Sequence, residues 1–449
     1  MACYAQKNRG YMEYDFSGKC DNDSEVWQFF TGGIPFTYVR SNEGVFTEFV
    51  DSPVPTHVRF DIKAGSRMRR TMTRQCGFRP APVEFPAVWH MFSPGPERGN
   101  DDYLALHQFQ RKHLREKTGI KSFAHTTKAI YTNTASPDEI RKSMKYASGN
   151  GFKVMRHPWC PSPVESLDSP ERVKMLRLTA SYGLVSRPWT AGDYTHGDGT
   201  WIFKTHPEWF VRRRDGKIFQ YFNAHPVLDL NNEAYRQWYF ALMKRAMANG
   251  LGEIYLDMFG ASSQNVNFSD PDARPGLSGG IKIVKFFSDN GIPVGAEGMN
   301  PLTQDNWWYR PNLYRNFAGQ EFAANGSSIC GTPESSFSLN FFRAAMYNIC
   351  VSFDVDGPAM GFDRIPGETK KMTEALKLVR TLDEVYEKVG YPFIRETPMG
   401  TLWMGKDHGA LFCYDSVKEL RLDLPPGWRA LGQLKNIGRE SVILIKKEK

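Results

Sequence analysis

Two carboxylates stand where short apolar runs of the chain end. Asp257 closes Glu253-Ile254-Tyr255-Leu256-Asp257, and Glu297 closes Ile292-Pro293-Val294-Gly295-Ala296-Glu297, forty residues further on. A short apolar run between polar or Gly/Pro boundaries reads as a buried strand, and forty residues suit one strand-helix unit. Neighbouring parallel strands lie roughly 4.8 Å apart. Two carboxylates at their ends then face one small substrate across the ~5 to 5.5 Å gap at which one attacks an anomeric carbon and the other protonates the leaving oxygen. Asp257 is followed by Met258-Phe259-Gly260, a loop with no further charge nearby. The pair is the candidate catalytic machinery, and the chemistry that it suits is glycoside hydrolysis with retention. Either residue alone reads equally well as a strand-end carboxylate capping a loop.

Other run ends supply groups for sugar hydroxyls and sugar faces. Arg156, His157 and Trp159 follow one run, Trp189 and Asp193 follow another, and Asp356 lies in Phe353-Asp354-Val355-Asp356-Gly357. Packing and loop stabilisation compete as the reading for each. Asp229, just before a helix signal, reads as structural. The chain holds 31 Phe, 19 Tyr and 11 Trp, and several of these sit in loop-like contexts such as His157-Pro158-Trp159 and Asn306-Trp307-Trp308-Tyr309. Aromatic walls cover the C–H face of a sugar at low entropic cost, so composition alone makes carbohydrate a candidate ligand.

The elements that must position these residues follow from periodicity. Residues 1 to about 90 alternate apolar and polar positions, as in Thr56-His57-Val58-Arg59-Phe60-Asp61-Ile62-Lys63, and predict antiparallel β structure. From about 120 to 392, short apolar runs alternate with helix-period segments. Ser136-Pro137-Asp138-Glu139, Ser169-Pro170-Glu171 and Asn231-Asn232-Glu233 are helix starts with their caps, and Gly250 stops the third. Strand and helix in alternation over this length predict an α/β fold, a (β/α)8 TIM barrel, whose active site is built at the carboxyl ends of the strands. The eighth strand falls near Cys350–Phe353 and the closing helix at Thr369–Lys388. Alternation returns at Gly409–Tyr414 and Ser441–Ile445. Three regions result: a β-rich N-terminal region 1–115, a catalytic barrel 116–392, and a small C-terminal β-sandwich 393–449.

Composition narrows the alternatives. At 449 residues, with 41% apolar and 24% charged residues, the chain reads as globular and longer than one ordinary core. No window has the roughly 18 uncharged apolar residues of a bilayer span, so no membrane partner is expected. The start MACYAQKNRG lacks the basic and apolar pattern of a signal peptide, which leaves the compartment open between cytoplasmic and trimmed secreted or periplasmic forms. The net charge is +8, with runs at Arg67-Met68-Arg69-Arg70, Arg212-Arg213-Arg214 and Lys446-Lys447-Glu448-Lys449. None of these runs sits in a nucleic-acid module, so nucleic acid is not expected, whereas an anionic glycan would be attracted to a basic cleft. Seven cysteines lie without metal-ligand spacing. No P-loop, dinucleotide fingerprint, HExxH or GxSxG is present. The reading therefore has no cofactor and no metal.

The segments His206-Pro207-Glu208-Trp209, Asp215-Gly216-Lys217, Val227-Leu228-Asp229-Leu230-Asn231 and Gly250 to Met258 resemble, in order and spacing, the α-galactosidase and α-N-acetylgalactosaminidase clan of glycoside hydrolases. The resemblance implies a TIM barrel between β domains, α-linked galactose or N-acetylgalactosamine as substrate, and the nucleophile at Asp257. Two positions differ from the clan's galactosidases. Lys usually stands two residues before the nucleophile, where this chain has Tyr255. Their acid/base is an Asp two strands later, whereas here Glu297 ends the next run. An Asp followed one strand later by a Glu is more similar to the endo-α-N-acetylgalactosaminidases. The leading reading is a retaining α-glycosidase. Alternatives place proton transfer on Asp305 or Asp356, or make the chain a non-catalytic carbohydrate-binding protein on a glycosidase scaffold.

Overall fold

A computed structural model describes the backbone of the strands within residues 2–94. It further describes residues 108–109, 112–123, 128–130, 136–157, 164–257, 259, 266–272, 276–296, 305–306, 328–330, 341–346, 350–354, 368–422 and 424–448, with side chains mainly in 136–155, 166–257, 278–296 and 376–448. The alternating N-terminal segment forms β1 (Ala2–Lys7), β2 (Gly10–Asp15), β3 (Ser24–Gln28), β4 (Phe36–Ser41), β5 (Gly44–Val50), β6 (His57–Lys63), β7 (Arg67–Thr73) and β8 (Val88–Pro94). They make two antiparallel sheets, ordered β2-β1-β4-β5-β8 and β3-β6-β7.

The middle of the chain contributes β9 (Lys128–Ile130), β10 (Val154–His157), β11 (Val185–Thr190), the short hairpin strands β12 (Gln220–Tyr221) and β13 (His225–Pro226), β14 (Ile254–Leu256), β15 (Val294–Ala296), β16 (Asp305–Asn306), β17 (Ser328–Cys330) and β18 (Cys350–Asp354). Apart from the hairpin, these eight form one sheet in the order β16-β15-β14-β11-β10-β9-β18-β17. Every ladder in it is parallel. The last of these eight strands in sequence, β18, pairs with the first of them, β9, so the sheet runs back on itself. Parallel neighbours need crossover connections, and α1 (Pro137–Gly149), α2 (Pro170–Ser181), α3 (Trp201–Thr205), α4 (Glu233–Ala248), α5 (Gly276–Asp289) and α6 (Phe341–Met346) lie on them, while α7 (Glu368–Val389) follows β18.

The helix starts form where the local chemistry favours them. Ser136 accepts from the Glu139 N–H at 3.3 Å while the Glu139 carboxylate accepts from the Ser136 N–H at 2.8 Å, a complete capping box with Pro137 behind it. Ser169 caps α2, and Asn232 caps α4 through the Tyr235 N–H at 3.0 Å. The main core lies between the sheet and α4 and α5, where Tyr239, Leu242, Met243, Ile283 and Phe287 pack against Ile254, Leu256, Val294 and Ala296. Gly279 allows α5 to lie close against the backbone of Leu230 and Asn231, just ahead of α4. A Cβ there would stand 1.8 Å from the Leu230 carbonyl oxygen.

The C-terminal strands are β19 (Phe393–Thr397), β20 (Gly400–Met404), β21 (His408–Cys413), β22 (Val417–Glu419), β23 (Trp428–Ala430), β24 (Lys435–Ile437) and β25 (Ser441–Lys447). Five make an antiparallel sheet, β19-β20-β21-β25-β23, and β22 pairs with β24. Alternation divides the sheet's side chains between two cores. Trp403, Ala410 and Phe412 meet Phe342 of α6 and Leu382 and Tyr386 of α7, while Leu402, Leu411, Ile443 and Ile445 meet Leu420 and Ile437 beside the β22–β24 ribbon. The Trp403 indole N–H donates to the Met346 carbonyl at 2.7 Å and fastens the sheet to α6.

Candidate active site

The two faces of the central sheet can be told apart from its side chains. Ile254 and Leu256 belong to the helix-side core, so Tyr255 and Asp257, one residue out of phase, point to the opposite, inner face. On β11, Trp189 and Arg187 both lie against the Tyr255 ring, which places them on this inner face. On the helix side, burial drives the Tyr239 phenol of α4 well above its ordinary pKa, with nearby Thr190 opposing the shift and the Asp193 charge adding to it, so this hydroxyl stays neutral.

Going along the strands, the inner face holds two ranks beneath Asp257. The lower one is a buried ion pair, Arg187 Nε to Glu253 Oε2 at 3.4 Å. Above it, Trp189 and Tyr255 pair in register and meet edge to face with ring centroids 5.5 Å apart. The Arg187 guanidinium carbon lies 5.2 Å from the Tyr255 ring centroid, a distance at which a cation is drawn to a ring face. Tyr255 is 1% exposed. The place two residues before Asp257 is thus occupied by a packed ring with a guanidinium behind it.

Asp257 follows β14 directly and is half-buried. Its N–H donates to the Thr190 carbonyl at 2.9 Å, which ties it to the end of β11. Its carboxylate Oδ2 accepts from the Tyr194 hydroxyl at 2.5 Å. Tyr194 comes from the excursion 191–232 between β11 and α4, a stretch that folds as short antiparallel segments. Thr195 N–H bonds Pro226 O, Val211 N–H bonds Val227 O, and Phe219 N–H bonds Val211 O. Ala191, Tyr194, Val211 and Val227, with Phe219 and Tyr221 packed beside them, give this wall a small core of its own. The same pairing brings His196 and His225 together, ring centroids 5.3 Å apart, and both pack on Tyr194 at 5.2 and 5.4 Å. Burial pulls the His196 pKa below its ordinary value, His225 adds to the shift, and Asp257 opposes it. A neutral imidazole beside a carboxylate can donate one hydrogen bond and accept another, as hydroxyl-rich ligands require.

The remaining expected residues fall in several places. Arg156 and His157 lie on β10, opposite Arg187 and Pro188 of β11, and their side chains are outside the described residues. Glu297, Trp159 and Asp356 are also outside them. Trp189 is half-buried on the inner face, and Asp193 is 0% exposed, its carbonyl accepting from Leu228 N–H at 2.8 Å. Both Asp229 carboxylate oxygens are engaged, one by Asn231 N–H at 2.8 Å and the other by the Asn267 amide at 2.9 Å, where they shape the entry to α4. In His206-Pro207-Glu208-Trp209, the imidazole stacks on the indole at 3.8 Å and accompanies a buried Trp. Of the basic runs, Arg212 donates to the carbonyls of Gly216 and Pro207, and Arg213 and Arg214 lie over Phe219 and Phe268. Among the described residues, no group of three or more His, Cys, Asp or Glu is arranged to hold a metal ion.

Sequence reasoning passed over Tyr194, His196 and His225. The one available signal was position, since Tyr194 and His196 directly follow Asp193 in the loop after a predicted strand.

No protein-family model matches the chain, and no curated protein does. Solved structures do. A GH36 α-galactosidase from Geobacillus stearothermophilus, in complex with stachyose, superposes with a TM-score of 0.62 at 10% identity, covering 99% of this chain and 75% of that one. The α-galactosidase from Lactobacillus brevis gives 0.61 at 9% identity over 100% of this chain and 73% of the other. The galactosidase domain of an α-galactosidase-sucrose kinase gives 0.58 at 10% over 99% and 73%. From its N-terminal sheets to its C-terminal sheet, the chain has the fold of these α-galactosidases.

Proposed function

We propose that this protein is a retaining α-glycoside hydrolase acting on α-linked galactose or N-acetylgalactosamine-type sugars, on a central sheet closed as a (β/α)8 barrel between regions 1–115 and 393–449. The observation that carries the reading is the setting of Asp257 at the carboxyl end of a parallel strand. It is half-buried and held by the Tyr194 hydroxyl and the Thr190 carbonyl, in a chain with the fold of α-galactosidases.

In the first step an Asp257 oxygen attacks the anomeric carbon and the bond to the leaving oxygen breaks. Glu297 gives that oxygen its proton. In the second, Glu297 takes a proton from water, the water oxygen bonds the anomeric carbon, and the Asp257 carboxylate departs. The register supports the pairing of roles. Leu256 pairs with Ala296, and the residues that follow these two in sequence are Asp257 and Glu297. Strand spacing of roughly 4.8 Å is of the order that double displacement needs. The half-buried Trp189, backed by the packed Tyr255 ring, offers an aromatic inner wall. Arg156, His157, Trp159, Asp193 and Asp356 complete the proposed sugar-binding set, and the basic surface favours an anionic glycan.

The test is a panel of aryl α- and β-glycosides with the first-formed product followed by NMR. Release of the α-anomer from an α-galactoside or α-N-acetylgalactosaminide is expected. Release of the β-anomer, or no hydrolysis of any glycoside, overturns the proposal.

A further inference from the structure

The hairpin of β12 and β13 carries a feature that the reaction above leaves unused. Its tip is Phe222-Asn223-Ala224, and both Phe222 and Asn223 hold positive φ, 51° and 55°. Ala224 N–H closes the turn on Tyr221 O at 3.0 Å. Such turns ordinarily take Asn-Gly, and a bulky residue with positive φ is uncommon. Here that place holds a phenylalanine that is 77% exposed, the highest value among the exposed large apolar side chains described.

An unbroken series of ring contacts joins it to Asp257. Phe222 meets His225 at 6.5 Å, His225 meets both Tyr194 and His196, and the Tyr194 hydroxyl bonds the Asp257 carboxylate. The tip sits against the turn that holds His196, since a Cβ on Gly197 would approach Ala224 O at 3.9 Å. One exposed ring beside the His225 imidazole, which itself meets His196, is unlike a broad apolar patch for a protein partner. It matches a sugar, which offers a C–H face to a ring and hydroxyls to polar neighbours.

We propose that Phe222, presented by the β12–β13 hairpin, is a stacking platform for the second sugar unit of the substrate, on the leaving-group side of the bond cleaved near Asp257. This rests on the hydrolase reading for its location, and oligosaccharides are its ligand class.

The experiment measures binding of galactose and of raffinose by titration calorimetry, in Asp257→Asn enzyme so that nothing turns over. Phe222→Gly removes the ring and keeps the turn, because glycine takes positive φ without strain. Phe222→Tyr keeps the ring. The expected result is raffinose bound more tightly than galactose. That margin should fall by roughly 5- to 10-fold in Phe222→Gly, the scale of one aromatic contact, and be kept in Phe222→Tyr. An unchanged margin in Phe222→Gly overturns the platform while leaving the hydrolase reading intact. Failure of both sugars to bind overturns both. Binding of raffinose that depends on Phe222, in a protein that hydrolyses no glycoside, supports the platform and overturns only the hydrolase reading.

Discussion

Tyr194 separates the two chemical steps. Its hydroxyl donates to the Asp257 carboxylate at 2.5 Å, and a hydrogen bond to a charged group contributes about 1.5–3 kcal/mol. Glycosylation removes charge from Asp257, so the donor stabilises the starting state more than the transition state. Deglycosylation returns that charge, so the donor favours departure of the carboxylate. With about half of the bond restored at the second transition state, Tyr194→Phe should slow deglycosylation by roughly 4- to 12-fold, at about 1.36 kcal/mol per decade. The ring still fills its place among Ala191, Val211 and Val227, so folding should be preserved. The assay is steady-state and burst kinetics on dinitrophenyl α-galactoside, whose good leaving group makes the second step limiting. Expected are a lower kcat, a visible burst, a kcat/KM that rises by a factor of the same order, and a KM that falls further than kcat. An unchanged kcat, or a loss of kcat/KM as large as that of kcat, would rule out this role for the Tyr194 hydroxyl.

Glu297→Gln should cripple hydrolysis of glycosides with sugar leaving groups far more than formation of the glycosyl-enzyme from dinitrophenyl substrates, because a poor leaving group needs the proton. Equal loss on both substrates would move the acid to Asp305 or Asp356. His196 has a folded pKa below its unfolded value near 6.5, so the unfolded chain binds its proton more readily and stability falls as pH drops through 6.5. Chemical denaturation at pH 7.5 and 5.5 should therefore show a larger loss for the parent protein than for His196→Gln, and equal losses would remove the argument. Gly279→Ala should destabilise the protein by about 1–3 kcal/mol or more, since its new Cβ would meet the Leu230 carbonyl oxygen at 1.8 Å. A melting temperature equal to that of the parent would contradict that close approach.

What was legible in the sequence was what local chemistry writes there. Ser136-Pro137 and Ser169-Pro170 announce their helices, and Glu253–Asp257 announces β14, because a cap or a buried strand is specified by adjacent residues. Cys350–Phe353 likewise foretold β18. The strands β16 and β17 were not located, since Asp305–Asn306 is polar and Ser328–Cys330 holds a single large apolar residue, so neither stands out as an apolar run. The wall around Asp257 was hidden for a different reason. His196 meets His225 through antiparallel pairing of Tyr194 with Val227, a contact between distant positions that neither segment encodes alone. The turn at Phe222-Asn223 lacks the glycine that would have signalled a hairpin.

The role of Asp257 is tested most directly by trapping the covalent intermediate. The protein is incubated with a 2-deoxy-2-fluoro α-galactosyl donor bearing a reactive leaving group, digested, and analysed by mass spectrometry, with Asp257→Asn alongside. One fluorogalactosyl adduct is expected on the peptide containing Asp257, none in Asp257→Asn, and a kcat for that variant below roughly a thousandth of the parent value, the scale of losing a nucleophile. An adduct on another carboxylate, or an Asp257→Asn enzyme that keeps more than about a tenth of its kcat, would contradict that role.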